Sequence, residues 1–177
     1  MRPLFVLAMM IIPGLAFAAG GDDFNPPKPT DTVKKCWGKR VYDPETKRCV
    51  KPKQSSLNDD QLFDDARALA YAGRNADAQA VLSAMQDQNE GRVLTYWGFT
   101  HRKLGNDAIA HAYYEKALKL DPNNLLARSY YGQALIKQGR LGEAFAEWKE
   151  IRARGGAETW AETSLRQALE TGQSFTY

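Results

Sequence analysis

From Asn58 onward the apolar residues of the chain recur three and four positions apart, and proline is absent until Pro122. That spacing is helical. In the helix that ends with "YYEKALKLDPNN" (113–124), Ile109, Tyr113, Ala117 and Leu120 follow one line, and Ala110, Tyr114 and Ala117 a second. Together they make an apolar face broader than one neighbouring helix can cover. Pro122 lacks an N–H and disfavours helical geometry in the residue before it, so the helix is expected to end near Asp121.

The pattern then begins again. Gly73, Gly105 and Gly139 each close an apolar helix, are each followed within a few residues by another, and stand 32 and 34 residues apart. Aligning on them superposes "LFDDARALAYAGRNADAQAVLSAM", "LTYWGFTHRKLGNDAIAHAYYEKAL" and "RSYYGQALIKQGRLGEAFAEWKEI". Small residues (Ala66, Gly98, Gly132, Ala78, Ala110, Ala144) recur where helix backbones would approach, with large ones beside them. A period in this range marks a stacked helical repeat.

These residues resemble the tetratricopeptide repeat, a helix-turn-helix unit of 34 residues. The best copy, 91–124, matches at Gly98, Ala110, Tyr114, Ala117 and Pro122. The next carries Tyr131, Gly132, Leu135, Ala144, Trp148 and Ile151 in equivalent places; the first, two residues short, carries Leu62, Ala66, Leu69, Ala78, Leu82 and Met85. Asp65 replaces a large apolar residue in the first copy, and His101 occupies a site usually aromatic or aliphatic in the second. The resemblance implies an all-α helical solenoid of three repeats, at about 59–90, 91–124 and 125–156. The last repeat would expose its apolar face, so a cap is required. "AETWAETSLRQALE" supplies one: Ala161, Leu165 and Ala168 face inward with Trp160 and Leu169 alongside, and a capping helix is expected over 157–171 within a repeat domain of 58–177.

Composition agrees with one globular domain, at 44% hydrophobic and 25% charged residues. The first residues read differently. Arg2, the apolar run Leu4 to Ile12, Pro13-Gly14 and the small-x-small Ala16-Phe17-Ala18 have the form of a secretory signal peptide over 1–18, cleaved after Ala18. The run is short of the roughly 20 residues a membrane span needs. Export to a periplasmic or extracellular compartment is therefore expected. Residues 19–33 carry Pro26, Pro27 and Pro29 and read as a flexible linker, as do 54–57.

Between those linkers lies a basic segment, 34–53, in which Lys34, Lys35, Lys39, Arg40, Lys47, Arg48, Lys51 and Lys53 outnumber Asp43 and Glu45 to leave a charge of +6. It also holds both cysteines, Cys36 and Cys49. Asp43-Pro44-Glu45-Thr46 suits a type I turn, so the segment is expected to form a short hairpin closed by a Cys36–Cys49 disulfide in an oxidising compartment. Zinc would need four ligands, and the only histidines, His101 and His111, lie far along the chain. "GKRVYDPETKRCV" resembles the aromatic-Asp-Pro turn before a cysteine in chitin-binding domains of the peritrophin type, without that family's other cysteines. It implies a possible glycan contact; nucleic acid is not an expected partner of an exported chain.

No catalytic constellation accompanies the repeats. Neither histidine has a serine, cysteine or carboxylate beside it in a recognisable motif, and no phosphate-binding glycine pattern occurs. No cofactor, no metal and no enzymatic activity are expected. In the repeat family the first helix of each unit lines a concave groove, and by register that groove is expected to present Phe63, Arg67, Arg92, Thr95, Phe99, Arg102, Lys103, Ser129, Gln133 and Lys137. The mixture is basic with apolar spots, which suits an acidic, carboxylate-bearing peptide or protein. One branch of the family clamps a chaperone carboxyl terminus with lysines, asparagines and an arginine; here those places hold Phe63, Arg67, Tyr96, Leu126 and Tyr130, so that role does not carry over. The sequence thus reads as a non-catalytic exported scaffold for a protein partner. The alternative is a glycan- or envelope-surface binder acting through the cysteine loop.

Overall fold

The computed structural model describes residues 27–174. The expected signal peptide and its cleavage site lie outside the described residues, as do 19–26 of the first expected linker and residues 175–177.

The described chain opens with α1 (Asp31–Lys35), capped by the Thr30 side chain, then a hairpin of β1 (Val41–Asp43) and β2 (Arg48–Val50) and a 3-10 turn at Pro52–Gln54. The strands are antiparallel, with Val41 opposite Val50 and Asp43 opposite Arg48. The Asp43 carboxylate makes the turn by accepting from the N–H groups of Glu45 at 2.9 Å and Thr46 at 3.4 Å. Cys36 and Cys49 are joined, with Cα atoms 5.7 Å apart, a separation suited to a disulfide.

Seven helices follow. They are α2 (Asp59–Tyr71), α3 (Asn75–Leu82), α4 (Gly91–Lys103), α5 (Asp107–Leu120), α6 (Leu125–Lys137), α7 (Leu141–Ala153) and α8 (Trp160–Thr171). A capping box starts α2, where Asn58 and Gln61 satisfy each other's backbone N–H groups at 2.9 and 3.0 Å. Gly73, Gly105 and Gly139 stand just beyond α2, α4 and α6 with φ of 77°, 82° and 75°, a left-handed geometry that costs glycine nothing and lets the chain reverse into the second helix of each pair. Pro122 lies in the turn between the end of α5 at Leu120 and the start of α6 at Leu125, and Arg128 donates back to its carbonyl at 2.9 and 3.0 Å.

Each pair packs on the next, and two glycines set the closest approaches. A Cβ on Gly98 would lie 2.5 Å from the Tyr114 ring, so α4 and α5 meet through that gap. A Cβ on Gly132 would lie 2.7 Å from Leu165, so the capping helix α8 lies directly on α6. Leu135, Ile136, Ala144, Ile151, Leu165 and Ala168 form the core beneath that cap. Glu162, buried on α8, accepts from the Trp148 indole at 2.8 Å and tethers the cap to α7.

The N-terminal segment departs from its reading as linker. Helix α1 lies within residues 31–35, and it docks on α2: the buried Thr32 hydroxyl donates to Asp65 at 2.5 Å and accepts from the Tyr42 N–H at 2.8 Å. Arg74 donates to the carbonyls of Cys36 at 2.9 Å and Gly38 at 3.2 Å. Val41 is fully buried in the same core as Leu62, Ala66, Leu69 and Tyr96. The expected linker at 54–57 is engaged too, with Ser56 bonded to Asp43 at 2.8 Å and Leu57 packed against the core. Hairpin and α1 therefore cap the first repeat as α8 caps the last. This explains Asp65: the polar residue at an apolar repeat position faces a polar partner from the N-terminal cap.

Candidate partner-binding face

The first helices of the repeats, α2, α4 and α6, lie side by side, and α4 is central. The structure places most of the side chains assigned to a groove inside the packing rather than on an open wall. Phe63, Thr95, Phe99, Ser129 and Gln133 are all buried. Thr95 bonds its own helix at Gly91 O (2.7 Å) and accepts from Asn124 at 3.1 Å. Ser129 shares a hydrogen bond with Ser164 of α8 at 2.9 Å, and the Gln133 amide points at both serines, so these two residues serve the cap.

Aromatic rings fill the middle of the concavity. Phe63 meets Tyr96 edge-on at 5.3 Å, Tyr71 stacks on Phe99 at 5.6 Å, and Phe99 contacts Tyr130 at 5.0 Å. The Tyr71 and Tyr130 hydroxyls are hydrogen-bonded to each other, which closes the first repeat onto the third across α4. Arg67 donates to the Tyr96 hydroxyl at 3.1 Å. Burial pushes the Tyr96 phenol well above its usual range and Tyr114 up to about 12. These tyrosines are hydrogen-bonding, uncharged wall.

The cations differ in how they are balanced. Arg92 lies 2.5 Å from both Asp60 and Glu90 and 4.6 Å over the Phe63 ring, so the chain supplies its counter-ions. Lys137, half exposed, is 3.1 Å from Asp107. Arg102 and Lys103 are adjacent on the last turn of α4, each 5.6 Å from the Phe99 ring centre, and among the described residues neither makes an ion pair. Burial first, and the neighbouring guanidinium second, hold the Lys103 ammonium below its usual pKa. The face thus offers positive charge at the C-terminal end of α4 and an apolar, closed centre.

His101 forms a three-ring cluster with Trp97 (5.7 Å) and Tyr113 (5.6 Å), which also contact each other at 5.7 Å, and burial lowers its pKa. The aromatic place in the repeat is therefore kept by an imidazole. His111 sits edge-on to Tyr131 at 5.1 Å and shares a hydrogen bond with Gln138 at 2.7 Å. Among the described residues no group of three or more His, Cys, Asp or Glu side chains is placed to hold a metal ion, and no helix is long and apolar enough to cross a membrane.

Two tetratricopeptide-repeat family models match the chain, one over residues 91–124 and the other over 113–146. The first coincides with the α4–α5 pair, and the second runs from α5 through α6 into α7. Residues 91–146 of the solenoid thus match tetratricopeptide repeats. No curated protein and no solved structure matches the chain. Repeats of this kind point to a scaffold for protein–protein interaction, and the disulfide is compatible with an extracytoplasmic location.

Arg102 and Lys103 lie on α4, the helix their register assigns them to, and Tyr130 occupies a first-helix clamp place, whereas Tyr71 and its contact with Tyr130, which closes the concavity, carry no such mark in the repeat pattern. Both occupy the first helices, yet their contact spans 59 residues of chain and depends on how sharply successive repeats turn. Tyr71, two positions before Gly73, is the signal available in the sequence.

Proposed function

We propose that the chain is an exported, non-catalytic scaffold that holds a protein partner on the face formed by α2, α4 and α6, in the service of envelope assembly or secretion. The observation that carries this reading is the run of three consecutive repeat first helices, capped at both ends so that the remaining access is lateral, with uncompensated positive charge at the end of the central one. Among the described residues both ends of the repeat stack are covered, by the hairpin with α1 and by α8. An acidic partner suits the charge. Export rests on the sequence pattern of residues 1–18 and on the Cys36–Cys49 bond.

A pull-down with the full-length exported protein from the envelope fraction of its own cells tests the reading. A specific protein recovered in stoichiometric amount supports it, and recovery of polysaccharide alone contradicts it. Intact mass of the exported form should correspond to a chain beginning at Ala19; retention of residues 1–18 would remove the export half.

The second reading, a glycan- or envelope-surface contact through the cysteine loop, is favoured by one feature. Trp37 is 86% exposed beside the disulfide, among the exposed Lys34, Lys39 and Arg40. A large aromatic side chain held in solvent next to several cations suits stacking on an anionic sugar.

A further inference from the structure

Among the described residues Trp37 is the most exposed large apolar side chain, at 86%, yet the backbone on either side of it is fixed. Arg74, the residue that caps α3, donates to the Cys36 carbonyl at 2.9 Å and to the Gly38 carbonyl at 3.2 Å, one on each side of Trp37. Arg74 is itself held by Asp77 at 2.9 Å. The Cys36–Cys49 bond ties the same loop to β2. The loop is therefore clamped to the first repeat, and its indole projects into water from a fixed base. Cations flank it. Lys34, Lys39 and Arg40 lie within three positions of Trp37, and Arg48 adjoins the disulfide. All four are exposed, and none makes an ion pair among the described residues, whereas Lys35 is paired with Asp31 at 3.0 Å. Arg40 donates to the Cys49 carbonyl at 3.5 Å, which keeps its charge at the disulfide. The Asp43 carboxylate is buried and engaged by the hairpin turn and Ser56, so it does not offset them.

Resting on the second reading above, the geometry points to the Trp37 loop as a docking surface for an anionic phospholipid bilayer, with the indole in the headgroup region and Lys34, Lys39, Arg40 and Arg48 against the lipid phosphates. Tryptophan is favoured at the membrane–water boundary, where its ring leaves water while its N–H stays hydrated. Each basic residue near an anionic surface strengthens attachment about fivefold. One ring and a few charges give reversible contact on the surface rather than insertion, in keeping with described helices too short or too polar to span. A sugar would also stack on the ring, but its hydroxyls are recognised through acceptors as well as donors. Around Trp37 the lysines and arginines only donate, and the Cys36 and Gly38 carbonyls are engaged by Arg74. A bilayer of phosphate headgroups needs donors and positive charge alone. The clamp matters for the same reason: a fixed loop has less freedom to lose on docking.

The test floats the exported protein, its disulfide intact, with vesicles of phosphatidylglycerol and phosphatidylcholine and with vesicles of phosphatidylcholine alone. Trp37→Ala and the double variant Lys34→Gln/Lys39→Gln are run beside it, so that anything the rest of the chain contributes is common to all three. Wild type should float with the anionic vesicles far more than with the neutral ones, and less as salt rises. Trp37→Ala should bind about tenfold more weakly, and the lysine variant about 25-fold. Tryptophan emission should shift to the blue on binding in wild type and not in Trp37→Ala. Because Trp37 and both lysines are exposed, all three proteins should unfold at the same temperature. Equal binding of wild type and both variants overturns the docking surface, and equal binding to neutral and anionic vesicles overturns its charge recognition. Hyaluronate, an anionic polysaccharide without lipid, separates the levels. Wild type that binds hyaluronate through Trp37 and ignores the vesicles overturns the bilayer and keeps the cysteine-loop contact, whereas wild type that binds neither removes that second reading itself.

Discussion

Replacing Thr32 with valine should test whether the N-terminal segment is part of the fold, because the change keeps the side chain's shape and deletes its hydroxyl. Thr32 is buried and makes two contacts through one oxygen: it donates to Asp65 at 2.5 Å and accepts from the Tyr42 N–H at 2.8 Å. Losing a bond to a carboxylate costs about 1.5–3 kcal/mol and losing a neutral one about 1, so about 2–4 kcal/mol is expected at neutral pH. Burial, the largest influence, raises the Asp65 pKa above its usual value of 3.8, while the Thr30 and Thr32 hydroxyls lower it. The sign follows. The folded state holds this proton more tightly than the unfolded chain, so the group favours folding below the unfolded value and that contribution is lost as pH rises through the folded one. Thr32→Val removes one of the lowering bonds, which moves the folded pKa further up. The variant's deficit should therefore be largest at neutral pH and should shrink in mild acid, above and around pH 3.8. Urea unfolding of the full chain at neutral and mildly acidic pH, followed by far-UV circular dichroism, measures both. A variant within 0.5 kcal/mol of wild type, by the usual scale of inert surface changes, would refute the docking of α1 on α2.

Further outcomes follow from other contacts. Gly132→Ala should force α6 and α8 apart, since the added methyl would meet Leu165 at 2.7 Å, and should cost about 1–3 kcal/mol in chemical denaturation. Replacing both Cys36 and Cys49 with alanine should cost about 3 kcal/mol, given their sequence separation of 13, and alkylation of the unreduced wild type should modify neither. Tyr71→Phe should leave the stack on Phe99 and remove the bond to Tyr130, lowering stability by about 0.5–1.5 kcal/mol. Deleting the chain up to Ser55 should expose Val41's contacts on α2 and broaden thermal unfolding, where an autonomous repeat domain would retain a sharp transition.

The helical pairs and their turns were legible because their causes are local. Gly73, Gly105 and Gly139 punctuate a 3.6-residue apolar period, and Pro122 forces a break, so register and repeat length could be read directly. The cap at Trp160–Thr171 was legible for the same reason, through Ala161, Leu165 and Ala168. What escaped depends on contacts between distant segments. Thr32 finds Asp65 across 33 positions, inside a stretch whose prolines signal a linker. Period alone also cannot give the curvature that brings Tyr71 to Tyr130, and with it the burial of Phe99 and Arg102. Register therefore places these residues on α2, α4 and α6, while their burial and the pairing of their charges emerge only in three dimensions. Arg92 shows the difference most plainly: register makes it a groove cation, and Asp60 and Glu90 make it a neutralised one.

In the proposed function a protein partner is held on the first-helix face, at the C-terminal end of α4. Site-specific photo-crosslinking in living cells tests it most directly, with a benzophenone amino acid placed in turn at Lys103, at Lys137, and at Trp37 on the cysteine loop. One protein adduct of the same mass is expected from positions 103 and 137 and none from position 37. Adducts confined to position 37, with 103 and 137 silent in a folded and exported protein, would contradict it.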